Sequence, residues 1–295
     1  GLQVTRDRLR RTLTLSQAEY VRRLLERYGM LNSRPTDTPI ATGMRLSQDD
    51  CPTVPVMPAP SMQGHSYAAV VGALMYAMLG TRPDLAFAVA SLSRFTSNPG
   101  EPHMQTLKRV LRYLHGTVNH QLAYDGREGD KGRPSNTSGT LLLGYCDADW
   151  ATSMDDRRSV TGWVFLVAGG AISWQSQRQK SVALSTVEAE YMAAGNATKE
   201  AVWLRTLLNE LGETQTNATT ILTDNQGSIA LAKNPEQHQR SKHIDIRYHF
   251  IRERIADGVV QLAYIPGSEM TADQLTKPLA KDAHNQCARR MGLRW

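Results

Sequence analysis

Leu141-Leu-Leu-Gly-Tyr-Cys-Asp-Ala-Asp-Trp150 is the stretch on which the fold of this 295-residue chain turns. A run of uncharged, mostly apolar residues ends abruptly in acid, the pattern of a buried strand with carboxylates at its end. Side-chain direction repeats every second residue, so Asp147 and Asp149 face the same side. Asp147 follows the apolar run directly and is expected to stand on the sheet, with Asp149 at the fraying end. Downstream, Thr161 to Val167 and Ala171 to Gln175 read as two further strands, with Gly169-Gly170 as a tight hairpin between them. A long helix from Ser185 to Leu211 ends at Gly212. Strand Thr219 to Thr223 then leads into a short helix from Asn225 to Lys233, and another helix spans Asp245 to Ala256. Val259 to Ile265 is a fifth strand, and Glu269 to Met291 carries a closing helical segment. The order βββαβααβα predicts an α/β fold, a mixed sheet with helices on its faces.

Three more acids occupy comparable settings. Glu190 lies in Ser185-Thr-Val-Glu-Ala-Glu-Tyr-Met-Ala-Ala194, Asp224 in Thr220-Ile-Leu-Thr-Asp-Asn-Gln226, and Asp273 in Met270-Thr-Ala-Asp-Gln-Leu-Thr-Lys-Pro278. Carboxylates at the ends of apolar runs are costly to hold together, so a converging set points to a hard cation bound through oxygen. Two such ions roughly 3.5–4 Å apart can clamp the attacking and leaving oxygens of a phosphodiester, which is nuclease chemistry. Within the helix, Ser185-Thr-Val-Glu188 is a capping box, which gives Glu188 a structural task. Glu190 points the other way, with Ala194 and Ala197, toward a sheet, and is chosen over Glu188. Asp224 ends a strand where ligands of open α/β sheets collect. Asp273 alone is equally a helix-terminal acid favoured by the dipole.

The N-terminal half is mostly helical. Leu2 to Leu15 alternates at both ends around a charged centre, as a hairpin does. Ser16-Gln-Ala-Glu19 reads as a capping box, opening a helix whose buried stripe is Tyr20, Val21, Leu24, Leu25 and Tyr28 and whose end is Gly29. Pro35 to Pro60 is loop-like. Three helices follow, Ser66 to Leu79, Pro83 to Phe95 and Glu101 to His115. On the last, Lys108, Arg112 and His115 share one face with Arg109 beside them, a face suited to phosphates or simply to water. Residues 125–140 are polar, rich in Gly and charge, and mark a domain boundary.

The net charge of +6 is unevenly placed. Gly1 to Thr140 holds 17 Lys and Arg against 11 Asp and Glu, whereas Leu141 to Trp295 holds 17 against 17. A basic half beside a neutral half with an acid cluster suggests that one part grips a polyanion and the other cuts it. Cys51, Cys146 and Cys287 are odd in number and lack zinc spacing, as in a reducing compartment. The longest nearly apolar run, Ala68 to Leu79, falls short of the roughly 18 residues a bilayer needs, so no membrane is expected. A start on Gly1, within a strand-like run and without a signal peptide, is what a piece of a longer polypeptide would show.

The segments Tyr145-Cys-Asp-Ala-Asp-Trp150, Asp156-Arg-Arg-Ser-Val-Thr-Gly162, Ile172-Ser-Trp-Gln-Ser-Gln-Arg-Gln-Lys-Ser-Val-Ala-Leu-Ser-Thr-Val-Glu-Ala-Glu-Tyr191, Leu222-Thr-Asp-Asn-Gln226, Lys242-His-Ile-Asp-Ile-Arg-Tyr-His-Phe250 and Ala272-Asp-Gln-Leu-Thr-Lys-Pro-Leu279 resemble, in this order, the ribonuclease H domain of copia-type retrotransposon polyproteins. Leu13-Thr-Leu-Ser-Gln17, Val71-Gly-Ala-Leu-Met-Tyr76, Thr81-Arg-Pro-Asp84, Leu92-Ser-Arg-Phe95 and Lys108-Arg-Val-Leu-Arg-Tyr-Leu114 are similar to the thumb and connection of the same reverse transcriptases.

The resemblance implies a ribonuclease-H-like five-stranded mixed sheet flanked by helices at 141–295, a mostly helical thumb and connection region at 1–124, and a linker at 125–140. It implies hydrolysis of the RNA strand of RNA/DNA hybrids, with Asp147, Glu190, Asp224 and Asp273 holding two Mg2+ ions, for which Mn2+ can substitute. Ser185 and Thr186 would hold a DNA-strand phosphate, and Asn225 and Gln226 would touch the minor groove. Arg178 and Lys180 fit phosphate contacts on charge alone. The expected partner is the polymerase fingers and palm of the same polyprotein, and the expected setting is the cytoplasm or a virus-like particle, with nuclear passage. The chain departs from many ribonucleases H in the loop Pro266-Gly-Ser-Glu-Met270, where Ser268 or Glu269 replaces a mobile His, which puts a His-assisted product release in doubt. His243 and His249 lie on an upstream segment, where capping or packing is their expected role. The paired aspartates for nucleotide addition lie upstream of Gly1 in that family, so DNA synthesis is not expected of this fragment. The competing reading is a non-catalytic hybrid-binding remnant, against which four intact acids argue. An integrase would place its Glu last, contrary to the order Asp, Glu, Asp, Asp.

Overall fold

The hairpin at the N-terminus forms as the alternation predicts: β1 (Gln3–Asp7) pairs antiparallel with β2 (Thr12–Ser16). The structure, a computed structural model, describes residues 1–54, 61–127, 141–233 and 245–295, and of 245–249 the backbone alone. The expected linker is thus undescribed from residue 128 onward. α1 (Ala18–Arg27) begins later than a capping box at Ser16 would place it. Ser16 is committed to the ladder opposite Gln3 and Gln121, its hydroxyl accepts the Ala18 N–H at 3.2 Å, and Glu19 pairs with Arg23 instead of reaching back. The box therefore does not close. After the two-residue strands β3 (Ser61–Met62) and β4 (His65–Ser66), α2 (Tyr67–Gly80), α3 (Ala86–Ser93) and α4 (Glu101–Gly116) pack with α1 around Val21, Leu25, Leu74, Leu92, Leu107 and Leu111. Pro83 opens the third helical segment as a single 3-10 turn, Pro83–Leu85, ahead of α3.

A strand that the sequence reading did not anticipate, β5 (Gln121–Asp125), pairs with β2 and completes three strands of a second sheet. Its fourth strand is β11 (Leu293–Arg294), antiparallel to β5. The last strand of the chain therefore closes a sheet begun by the first.

The principal sheet has the order β10-β9-β6-β7-β8. Its members are β6 (Leu143–Asp149), β7 (Val160–Val167), β8 (Gly170–Arg178), β9 (Thr219–Thr223) and β10 (Val260–Tyr264). β6, β7 and β8 run antiparallel, whereas β9 lies parallel to both β6 and β10. This is the mixed five-stranded sheet expected of a ribonuclease-H-like fold. The β7–β8 turn is one residue earlier than Gly169-Gly170: Ala168 (φ 50°) and Gly169 (φ 74°) supply the positive angles and Val167 pairs with Gly170. Gly170 answers a different need, since a Cβ there would lie 2.5 Å from the Ala123 carbonyl oxygen.

α5 (Thr186–Glu210) covers one face of this sheet, with Ala194, Ala197, Ala201 and Leu204 against Cys146, Phe165 and Ile221. Small residues let the helix axis approach the strands. α6 (Gln226–Lys233) and α7 (Asp245–Ala256) extend that layer. The expected helical segment Glu269 to Met291 is broken into 3-10 turns at Gly267–Glu269 and Thr271–Leu275 and then α8 (Lys281–Arg290), because Pro278 forbids a continuous helix. On the opposite face a shared core joins the two parts of the chain: Ala86 and Leu122 pack with Val164, Leu275, Ala288, Met291 and Leu293.

Candidate metal centre

Three of the predicted acids converge. Asp147 stands two residues from the end of the central strand β6, Glu190 in the second turn of α5, and Asp224 directly after β9. Strand alternation turns Cys146 and Ala148 toward α5 and Asp147 toward the 3-10 turn Thr271–Leu275, while the start of α5 brings Glu190 beside the end of β6. One carboxylate oxygen from each lies within 4.8 Å of the others. Asp147 and Glu190 are 3% and 4% exposed, so the cluster is largely withdrawn from water. Burial, then the charges of Asp147 and Asp224, push the Glu190 carboxyl up to about 9, and burial and Asp147 also raise Asp224. Glu190 Oε2 is buried without a hydrogen-bond partner among the described residues. An orphaned carboxylate oxygen facing two other carboxylates fits a hard cation with oxygen ligands, which would relieve both the repulsion and the missing bond.

Asp273 lies beside this trio rather than in it. It sits on the 3-10 turn Thr271–Leu275, and its Oδ1 is 2.8 Å from Lys277 Nζ. Burial and Asp147 push its carboxyl up to about 7, against the pull of Lys277. Glu188 is separated from the cluster as expected, although its cap is displaced by one residue. Its N–H donates to Ser185 Oγ at 3.2 Å, while its carboxylate accepts the N–H of Leu184, not of Ser185, at 2.9 Å.

The nucleic-acid candidates fall into two groups. Lys108, Lys180, Ser185, Thr186 and Gln226 are exposed. Arg109 instead donates to Thr38 O (3.1 Å) and Oγ1 (3.0 Å), Arg112 to Arg34 O (2.6 Å), and Arg178 pairs with Asp156 at 2.8 Å. Asn225 Oδ1 accepts the Ser228 N–H at 2.8 Å and so caps α6. The basic face of α4 thus clamps the 34–38 loop, with Lys108 left toward solvent. His243 and the side chain of His249 lie outside the described residues.

Three residues at the centre escaped the sequence reading. Thr276 Oγ1 donates to Asp147 Oδ2 and, at 3.1 Å, to Asp273 O, tying the 3-10 turn to the strand acid. Lys277 supplies the cation that faces Asp273, with Asp147 and Asp149 close enough to hold its charge. Gly162, paired with Asp147 across the ladder, leaves the room this turn occupies: a Cβ there would lie 2.7 Å from both Leu275 Cβ and Thr276 Cγ2. A glycine inside a strand pattern signals such an approach, and the i,i+4 spacing of Asp273 and Lys277 was readable too.

No protein-family model matches the chain. It is 44% identical over 99% of its length to the retrovirus-related Pol polyprotein from transposon TNT 1-94 of Nicotiana tabacum, and 38% identical over 95% to that from transposon RE1 of Arabidopsis thaliana. The chain belongs to the Pol polyproteins of copia-type retrotransposons. It spans about a fifth of the length of these relatives, 21% and 18%. Among solved structures it is similar to the LC11 ribonuclease H1 isolated from compost, at 14% identity and a TM-score of 0.36, over 50% of this chain and 96% of that one.

In this Pol segment the loop Pro266 to Met270 borders the centre, since a Cβ on Gly267 would lie 3.2 Å from Asp224 Oδ2. Ser268 and Glu269 are exposed there. An acid set open on the Asp224 side and floored by β6 can hold a cation against a polyanion's phosphate.

Proposed function

We propose that this Pol segment is a ribonuclease H, which cuts the RNA strand of RNA/DNA hybrids endonucleolytically with Mg2+, or Mn2+ in its place. The observation that carries the reading is the convergence of Asp147, Glu190 and Asp224 within 4.8 Å, with one Glu190 oxygen buried and unpartnered. Asp273 completes the ligand set in this reading. Two cations bound there would supply an activated water and a stabilised leaving oxygen. Ser185 and Thr186, at the exposed N-terminus of α5, receive a DNA-strand phosphate where helix amides and dipole favour an anion. Gln226 and Asn225 meet the minor groove, and Lys180 and Lys108 approach phosphates by charge. Arg109, Arg112 and Arg178 contribute only by exchanging their present partners. Residues 1–124 act as thumb and connection, gripping the hybrid beside the polymerase fingers and palm of the parent polyprotein, and residues 141–295 cut.

The test is Mg2+-dependent cleavage of a labelled RNA strand in RNA/DNA, RNA/RNA and DNA/DNA duplexes. Cleavage confined to RNA/DNA is expected, and Asp147→Asn or Asp224→Asn should abolish it while hybrid affinity stays nearly intact. A chain that binds the hybrid but cuts nothing with either metal is instead a non-catalytic remnant. Cleavage within a few-fold of the parent in either Asn variant would sink the site assignment.

A further inference from the structure

The motif Thr81-Arg-Pro-Asp84 takes no part in the chemistry above, yet Arg82 and Asp84 are 1% exposed. Arg82 pairs with Asp84 through Nη2 at 2.8 Å and Nε at 3.0 Å, and its Nη2 also donates to Thr117 Oγ1 at 2.7 Å. Asp84 Oδ2 accepts a hydrogen bond from Tyr113 Oη at 2.7 Å. The same hydroxyl lies 2.9 Å from His284 Nε2 on α8, and Gln274 Nε2 lies 2.9 Å from His284 Nδ1 and 3.1 Å from His284 Nε2. Tyr113, His284 and Gln274 are 1%, 3% and 3% exposed. Gln274 is the neighbour of Asp273 and shares its 3-10 turn.

The donors and acceptors form one consistent sequence. The Gln274 amide nitrogen has only protons to offer, and the nearer ring nitrogen, Nδ1, accepts one when Nε2 carries the ring proton. Nε2–H then donates to Tyr113 Oη, whose own proton goes to Asp84, and Arg82 holds that carboxylate. The imidazole is neutral in this arrangement, consistent with burial pushing it down to about 4. A buried chain of hydrogen bonds restrains the geometry of its members, and at its end Gln274 Oε1 has no partner among the described residues. Its far end is the turn whose Thr276 donates to Asp147 and whose Asp273 faces Lys277.

We propose that Arg82, Asp84, Tyr113, His284 and Gln274 are positioning residues of the acid centre, through which the helical N-terminal part sets the place of Asp273. The proposal rests on the metal-binding reading above. It differs from a purely structural role in predicting a specific loss of metal affinity through one acid. Tyr113→Phe removes the linking hydroxyl at nearly constant volume, and Gln274→Met removes the terminal donor at nearly constant length. In the full chain, calorimetric Mn2+ affinity should fall roughly tenfold in each, as it does when groups orienting a metal ligand are lost. In an Asp273→Asn background the same substitutions should have no further effect. Tyr67→Phe is the control: Tyr67 is buried and donates to Leu92 O at 2.9 Å within the N-terminal core, away from the chain of bonds. It should lower the melting temperature without moving Mn2+ affinity.

Equal losses of affinity in Tyr113→Phe and Tyr67→Phe would overturn the proposal, as would a Tyr113→Phe effect that persists undiminished in Asp273→Asn. If one of the two chain variants fails to fold, the other carries the same comparison. Hybrid cleavage measured in parallel separates the two readings: Mn2+ binding with the predicted coupling but no cleavage overturns the nuclease reading alone. A parent chain that binds no Mn2+ overturns both.

Discussion

Glu188 and Glu190 stand two positions apart on α5 and carry different burdens. Glu188→Gln keeps an acceptor for the Leu184 N–H, so cleavage near the parent rate is expected with a stability loss of about 0.5–1 kcal/mol. Glu190→Gln should instead abolish it, and a reversal of this order in a cleavage assay would refute the assignment. Lys277 shares Asp273 with any incoming cation. Lys277→Met should therefore bind Mn2+ more tightly yet cut the hybrid more slowly, a pair of opposed changes that simple misfolding does not produce. Two histidines give a pH dependence. His120, stacked on Trp295, and His284 are both pushed down to about 4, first by burial and also by Arg82, with Asp84 opposing. Each is neutral in the fold, while the unfolded chain takes up the proton near the ordinary value of about 6.5. Their stabilisation is complete above that value and is lost as pH falls from about 6.5 through about 4. Thermal melts should drop across this window, and His120→Gln should make the drop shallower. An unchanged slope in that variant would mean that His120 does not contribute.

Elements differed in how far their residues announced them. The acid-ended run at β6, the alanines of α5 and the strand Thr219 to Thr223 carried strong period signals, and the three converging acids were readable from them. β5 and β11 were not, because Gln121–Asp125 and Leu293–Arg294 are short and gain their order only from each other and from β2. Local pattern cannot report a partner so distant in sequence. The Ser16 capping box failed for the same reason, since a strand register overrode a local helix signal. Asp273 was named, but its place beside the trio, in contact with Asp147 and Lys277, is set by how the broken turn Thr271–Leu275 lies against β7, which no periodicity describes. Gly162 makes that contact testable. Gly162→Ala must push the turn off the strand, so a loss of about 1–3 kcal/mol from overpacking is expected, together with weaker Mn2+ binding. A variant as stable as the parent in denaturant titration would show that the turn has slack.

At the scale of the whole molecule, the basic excess of the N-terminal half and the shared core lead to different expectations for a fragment. If the first half grips phosphates, hybrid affinity of the full chain should fall steeply with salt, each neutralised phosphate adding about −0.9 to the log–log slope on B-DNA. The fragment 141–295 should show a shallower slope, and equal slopes would remove the division of labour. That fragment also loses Ala86 and Leu122 from the core they share with Leu293, so it should melt well below the full chain. Leu293→Ala in the intact chain, which empties one fully buried site of that core, should cost about 2–5 kcal/mol in a denaturant titration. The pairing of β11 with β5 has one more consequence, in the time taken to make the protein. Leu293 meets Leu122 about 170 residues later in synthesis, which at roughly 5–20 residues per second is on the order of ten seconds or more. Throughout that interval β5 presents an open row of amides and carbonyls to any strand that passes, including that of a neighbouring nascent copy on the same messenger.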